Sequence, residues 1–203
     1  MPTYSDFPGT TTLTIPWTTD AALSRAASLG PRRIAAVLSE EGKTISYGEL
    51  DERATRLANA LATHGVGSGD RVAVFMENSL DYLVAYHGVG RAGAIFVPIV
   101  TQSKLPEVEY FVSHSEPVVL ITDADRWALI SDAVARGTKA FRSLREIWLV
   151  GEDRSSSETR LEDIVLGGSV APIEVRPAPE EPVAFMYTSG STGRPKAVIH
   201  SHY

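Results

Sequence analysis

An α/β fold with a mostly parallel sheet and crossover helices is the architecture this sequence predicts, and three observations predict it. Short apolar runs alternate with amphipathic helical stretches up to about residue 150. The links between them are short, as they are where a crossover helix returns the chain to a neighbouring parallel strand. Runs such as Val72-Ala73-Val74-Phe75-Met76 are apolar without alternation, the pattern of a strand covered on both faces.

Taken in order, residues 1–18 carry Pro, Gly and Thr with little periodicity and read as an irregular lead-in. Asp20 is placed to cap a short helix that ends at Leu29, before Gly30-Pro31. Ile34 to Leu38 and Thr44 to Ser46 flank the polar turn Glu40 to Lys43 and predict a hairpin. Ser46 and Glu49 have capping-box spacing, and Ile45 and Leu50 have that of a hydrophobic staple. Leu50, Ala54, Leu57 and Leu61 then fall on one helical face, with Gly65 as the residue after the C-cap. After the turn Gly67 to Asp70 come a strand over 72–76, a helix over Leu80–Arg91 and a strand over Ala94–Val97 closed by Pro98. A helix near Pro106–His114, with Pro106 at the first helical position, precedes a strand at Val118–Thr122, a helix at Ala124–Ala135 and a strand at Glu146–Val150. The subdomain so defined covers 19–150. Residues 151–182, with Ser155 to Ser157 and four prolines, read as a surface excursion to a new sheet region, and 183–203 as strand, loop and strand.

A formal charge of −6 argues against a nucleic-acid or membrane-surface partner, which calls for basic excess. The absence of cysteine excludes a disulfide frame and a cysteine nucleophile. The opening Met1 to Asp6 has no basic stretch followed by an apolar one, so no signal peptide is expected. The longest apolar run, Ala94 to Val100, holds Pro98 and is too short for a membrane span. A cytoplasmic location is the expectation.

The chemistry-bearing segment is Thr188-Ser189-Gly190-Ser191-Thr192-Gly193-Arg194-Pro195-Lys196, between the apolar runs Val183 to Tyr187 and Ala197 to Ile199. Glycines let a backbone approach an anion, and successive N–H groups form an anion-binding nest. Hydroxyls add donors, one of which can ligate a phosphate-bound Mg²⁺, and lysine adds a point charge. These are the parts that hold a nucleotide triphosphate. A Ser/Gly linker would not sit between two short strands and end in Pro-Lys. The spacing is not that of the common P-loop, because Gly190 and Gly193 stand too close. Gly88 to Gly93 fits G-x-G-x-x-G, but a helix precedes it and a strand follows, the reverse of the dinucleotide fingerprint. His200 and His202 have no carboxylate or cysteine nearby to complete a metal site. Asp51 and Glu52 read as solvated helix-face charges, and Tyr82, Tyr86, Phe96, Tyr110 and Phe111 as core.

Tyr187 to Lys196 resembles, without a mismatch, the signature loop of the adenylate-forming or AMP-binding family of acyl-CoA synthetases, aryl-CoA ligases, luciferases and peptide-synthetase adenylation domains. Ala197 then stands where that family usually has Gly. Thr44 to Leu50, Gly65 to Ala73, and Gly90 to Ala94 with Val97-Pro98 resemble earlier family segments in the same order. The resemblance implies the amino-terminal subdomain of an acyl-CoA synthetase acting in fatty-acid metabolism or on a related acid. In such an enzyme a carboxylate attacks the α-phosphate of ATP, and coenzyme A takes the acyl group from the adenylate. By position, Thr188 would bind phosphate and Mg²⁺. Ser189, Ser191 and Thr192 would donate to phosphate oxygens, Gly190 and Gly193 would offer N–H groups, and Lys196 would neutralise pyrophosphate charge. Family members are considerably longer, so this portion is expected not to complete adenylation by itself, and no catalytic residue beyond Lys196 is assigned. The alternative is a standalone nucleotide- or partner-binding lobe, which would expose an apolar patch and form aggregates or a homodimer.

Overall fold

A computed structural model describes residues 18–151, 158–173, 177–188 and 194–202. Helix α1 (Thr19–Leu29) leads into a two-stranded antiparallel hairpin, β1 (Ile34–Leu38) and β2 (Lys43–Ser46). Helix α2 (Tyr47–Thr63) follows directly, and then β3 (Arg71–Phe75), α3 (Leu80–Arg91), β4 (Ile95–Pro98), α4 (Leu105–Ser115), β5 (Val119–Asp123), α5 (Ala124–Ala135) and β6 (Glu146–Val150). The last elements are β7 (Thr159–Arg160), α6 (Leu161–Gly167), β8 (Pro182–Thr188) and β9 (Lys196–Ser201). Among the described residues the main sheet has seven strands in the order β7-β6-β5-β3-β4-β8-β9, parallel except for β9, which returns antiparallel to β8.

Side chains of β3 alternate between two cores. Val72 and Val74 pack with α2, α3 and α6 residues such as Leu57, Leu61, Val84 and Val165. Ala73 and Phe75 pack with α4 and α5 residues such as Val108, Phe111 and Ile130. The unalternating apolar run is therefore a strand covered by helices on both faces, and the fold is a three-layer sandwich. The path from β3 to β4 runs one way along the sheet over one face. The path from β4 to β5 runs the other way over the opposite face, so both crossovers have the same hand.

Local chemistry sets the element ends. In α2 the Ser46 hydroxyl accepts from Glu49 N at 3.2 Å, and the Glu49 carboxylate accepts from Ser46 N at 2.8 Å. The hydrogen bonds to Ser46 hold the Glu49 carboxyl below its ordinary range. Gly65 closes the helix at φ 71°. In α1 the cap is Thr18, whose hydroxyl accepts from Ala21 N, and Asp20 lies within the first turn instead of at the N-cap. Pro106 is the second residue of α4, which starts one position earlier than expected. Residues 151–182, expected to run over the surface, contain β7 and α6. Leu161 and Val165 there are buried in the core beside α2. Arg56 and Asn59 of α2 fasten the following chain by donating to the carbonyls of Gly168 (3.0 Å), Ser169 (2.8 Å) and Ala171 (2.9 Å).

Two contacts lock the helical layer that carries α1, α2 and α3. Gly88 of α3 lies so close to α2 that a β-carbon there would stand 2.8–2.9 Å from Leu57 side-chain atoms. Arg91, at the end of α3, is buried. It donates to Asp20 of α1, to the Thr55 hydroxyl, to Asp51 O (2.8 Å), to Asp51 Oδ1 (2.7 Å) and to Ser24 Oγ (3.0 Å). Asp51 is thus a structural ion-pair partner and not a solvated helix-face charge, whereas Glu52 remains exposed and pairs with Arg56 one turn on. The glycines of Gly88 to Gly93 serve helix packing and the turn into β4.

Gly88→Ala sets a helix-propensity gain of up to about 1 kcal/mol against overpacking of about 1–3 kcal/mol, and Leu57 is fully buried with no room to retreat. Net destabilisation of about 1 kcal/mol is expected in denaturant unfolding. Arg91→Ala leaves two carboxylates without their partner and is expected to cost about 3–5 kcal/mol, read as a lowered melting temperature.

Candidate functional site

In an open parallel sheet, ligands bind outside the carboxyl ends of the strands, where the chain switches from one side of a strand to the other. That switch falls between β3 and β5, whose connections leave in opposite directions over opposite faces of the sheet. Beside it, over the carboxyl ends of β3 and β4, opens a cleft of about 410 Å³. Its walls come from the turn after β3 (Met76, Glu77, Asn78), the turn after β4 (Pro98 to Gln102), Tyr82, Phe111 and the end of β8 (Met186, Tyr187). The size and the mix of apolar walls with a few polar groups suit a small-molecule site. One rim is held by ion pairs: Asp123 Oδ2 accepts from Glu77 N at 3.0 Å, and Arg126 binds both Glu77 and Asp123.

β8 runs into this region and β9 leaves it. Their ladder pairs Phe185 with Ile199, Met186 with Val198, Tyr187 with Ala197 and Thr188 with Lys196. Thr188 and Lys196 therefore face each other across the hairpin at the cleft end, both exposed, with the Thr188 hydroxyl 3.4 Å from Lys196 O. Lys196 is exposed, and among the described residues it has no carboxylate partner. Of the site residues expected from sequence, the structure brings Thr188 and Lys196 together. Ser189, Gly190, Ser191, Thr192 and Gly193 lie outside the described residues.

Both legs of the hairpin rest on α4. The Tyr110 hydroxyl donates to Pro195 O at 2.7 Å, and His114 Nδ1 is hydrogen-bonded to the Tyr187 hydroxyl at 2.7 Å. The Tyr187 ring packs on Phe111 with centroids 4.7 Å apart. Partial burial raises the Tyr187 phenol above its ordinary value, so the hydroxyl stays protonated at neutral pH. The sequence pattern alone places Tyr110 in the core and gives His114 no role. The available signal was their spacing of four on a helix whose other face is Val108, Phe111, Val112 and Ser115.

The histidines that follow the loop part company. His200 is exposed on β9, while His202, just past the strand, is buried with Nδ1 3.1 Å from the Thr19 hydroxyl. Among the described residues no group of three or more His, Cys, Asp or Glu side chains is placed to hold a metal ion. Nor, among these residues, is any helix long and apolar enough to cross a membrane.

With the cleft and hairpin placed, comparison with known proteins identifies the class. A family model described as AMP-binding enzyme matches residues 23–203. The chain belongs to the AMP-binding enzyme family, and its subdomain is the amino-terminal α/β portion of these adenylate-forming proteins. Surfactin synthase subunit 3 of Bacillus subtilis (strain 168) is 34% identical over 170 residues, 83% of this chain and 12% of that protein. The 3-hydroxybenzoate/4-hydroxybenzoate–CoA ligase of Thauera aromatica is 32% identical over 184 residues, 90% of this chain and 34% of the ligase. Among solved structures, the anthranilate CoA ligase AuaEII in complex with anthranoyl-AMP superposes with a TM-score of 0.84 at 25% identity, over 94% of this chain and 36% of that one. The chain thus spans about a third or less of the length of these relatives.

His202 and His87 share a linkage. Burial lowers both imidazoles below their ordinary value, and Arg91 adds to the effect at His87. The unfolded chain therefore binds more protons than the folded one below about pH 6.5. Stability is expected to be full above that point and to fall as pH drops through the folded values. The melting temperature should decline as pH falls below about 7, with a shallower decline in His202→Asn; a melting temperature that climbs on acidification contradicts the assignment.

Proposed function

We propose that this chain supplies the triphosphate-holding part of an ATP-dependent acyl-CoA synthetase. The enzyme activates a carboxylic acid to an acyl-adenylate and passes the acyl group to coenzyme A. The observation that carries the reading is the hairpin beside the cleft, which sets Thr188 opposite Lys196 at the carboxyl end of the sheet. The relatives support the class: two are named as CoA ligases, and one solved relative holds an acyl-adenylate.

In the reaction, a carboxylate oxygen of the acid bonds to the α-phosphorus of ATP and the bond to the β-phosphate oxygen breaks. Pyrophosphate then leaves with its charge. The thiolate sulfur of coenzyme A next attacks the acyl carbon, and AMP departs. This chain's residues serve the first step by positioning and by electrostatics. Lys196 holds positive charge where β- and γ-phosphate charge builds. Ser189, Ser191 and Thr192 donate hydroxyl protons to phosphate oxygens, and Gly190 and Gly193 leave backbone N–H groups accessible. Thr188 fits a Mg²⁺ ion, because it offers an exposed hard oxygen whose present bond, at 3.4 Å, is weak. Mg²⁺ keeps several waters and takes phosphate oxygens as its main ligands, so few protein ligands are needed. Bound with the triphosphate, it would shield phosphate charge. A fatty or related acid is the proposed acyl substrate, and the cytoplasm, where ATP and coenzyme A are at hand, the proposed location.

Lys196→Ala removes a charge-assisted contact of about 1.5–3 kcal/mol, and the dissociation constant for MgATP should rise about 10- to 100-fold in titration calorimetry. Equal binding by parent and variant would remove Lys196 from the phosphate site.

A further inference from the structure

Helix α4 is not part of the signature loop, yet it contacts both legs of the hairpin that carries the loop. On the outgoing leg, His114 holds the Tyr187 hydroxyl at 2.7 Å, one residue before Thr188. On the returning leg, Tyr110 donates to Pro195 O at 2.7 Å, one residue before Lys196. The backbone ladder between β8 and β9 ends at the Thr188–Lys196 pair. Proline has no N–H to add a further rung, so the Tyr110 bond fixes the chain one residue beyond the ladder. The two anchoring side chains are four residues apart on one helix face, and their rings stack at 5.7 Å and 28°. Phe111, from the next position, is buried and packs on the Tyr187 ring. The mouth of the loop is thus gripped from a rigid element on both sides.

We propose that Tyr110 and His114 are positioning residues for phosphate binding, fixing the direction in which the hairpin presents Thr188 and Lys196. This rests on the nucleotide reading above. The two groups touch no phosphate themselves; they act through Pro195 and Tyr187. Preorganised donors lose less freedom when a ligand arrives, so loosening either leg should weaken binding while leaving the fold intact.

The test uses the full chain, MgATP as probe and two readouts. Tyr110→Phe removes only a hydroxyl and keeps the stacked ring. His114→Ala removes the second anchor, and His114→Gln restores a side chain able to reach the Tyr187 hydroxyl. Tyr110→Phe and His114→Ala are each expected to raise the MgATP dissociation constant about fivefold, the scale of one neutral hydrogen bond. Both should also speed hydrogen exchange across 187–198, with melting temperatures within about 2 °C of the parent. His114→Gln should recover at least half of the loss. A parent that binds MgATP, a Lys196→Ala variant that does not, and clamp variants with parental affinity would overturn the clamp alone. Faster exchange with parental affinity, or a uniform drop in melting temperature without rescue by Gln, would overturn it as well. A parent without MgATP affinity would overturn the nucleotide reading and the clamp together.

Discussion

The molecule is organised by the reversal of direction at β3. A parallel strand must be followed by a crossover, and the crossover must lie over a face of the sheet. Because β4 lies on one side of β3 and β5 on the other, α3 and α4 are forced onto opposite faces. The carboxyl ends of β3 and β4 are left uncovered between them. The cleft, the hairpin of β8 and β9 and the aromatic cluster on α4 all occupy that opening. None requires an unusual backbone: the one described residue other than glycine with positive φ is Glu116, at the C-cap of α4.

The opening keeps its shape because the layers around it are stiff. On one face, the close approach of Gly88 to Leu57 brings α3 against α2, and Arg91 at the end of α3 ties the first turn of α1 to α2 through paired charges. A buried ion pair of this kind adds little net stability over a well-packed apolar contact, since desolvation offsets much of the attraction. Its effect is orientation: a guanidinium with fixed donor directions accepts one arrangement of three helices. On the other face, Phe111 and Tyr187 form the floor under the returning hairpin. Arg126 joins the turn after β3 to the end of β5, so the rim opposite the hairpin is held as well.

Much of this was legible in the chain, and the limit has a physical basis. The capping box of Ser46 and Glu49, the face of Leu50, Ala54, Leu57 and Leu61, and the spans of α3, α5 and β6 rest on contacts within a few residues, and the sequence states them directly. The Thr188 to Lys196 loop was legible because its composition is chemically narrow. What was hidden depends on distant pairing. Asp51 meets Arg91 across 40 residues and Tyr110 meets Pro195 across 85, and no local pattern marks either. Helix α6, which buries Leu161 and Val165, went unread because seven residues are too few to display a helical period. Strand order likewise follows from long-range competition for the sheet, not from any one strand.

The hairpin that bears the signature loop has its own support: a ladder between its legs, one residue of parallel register to β4, and two side-chain bonds to α4. The side-chain bonds grip Tyr187 and Pro195, just outside Thr188 and Lys196, so a change in α4 or β8 that shifts the hairpin reaches the site without altering a residue of it. Residues outside the signature sequence can in this way tune the fit of a ligand.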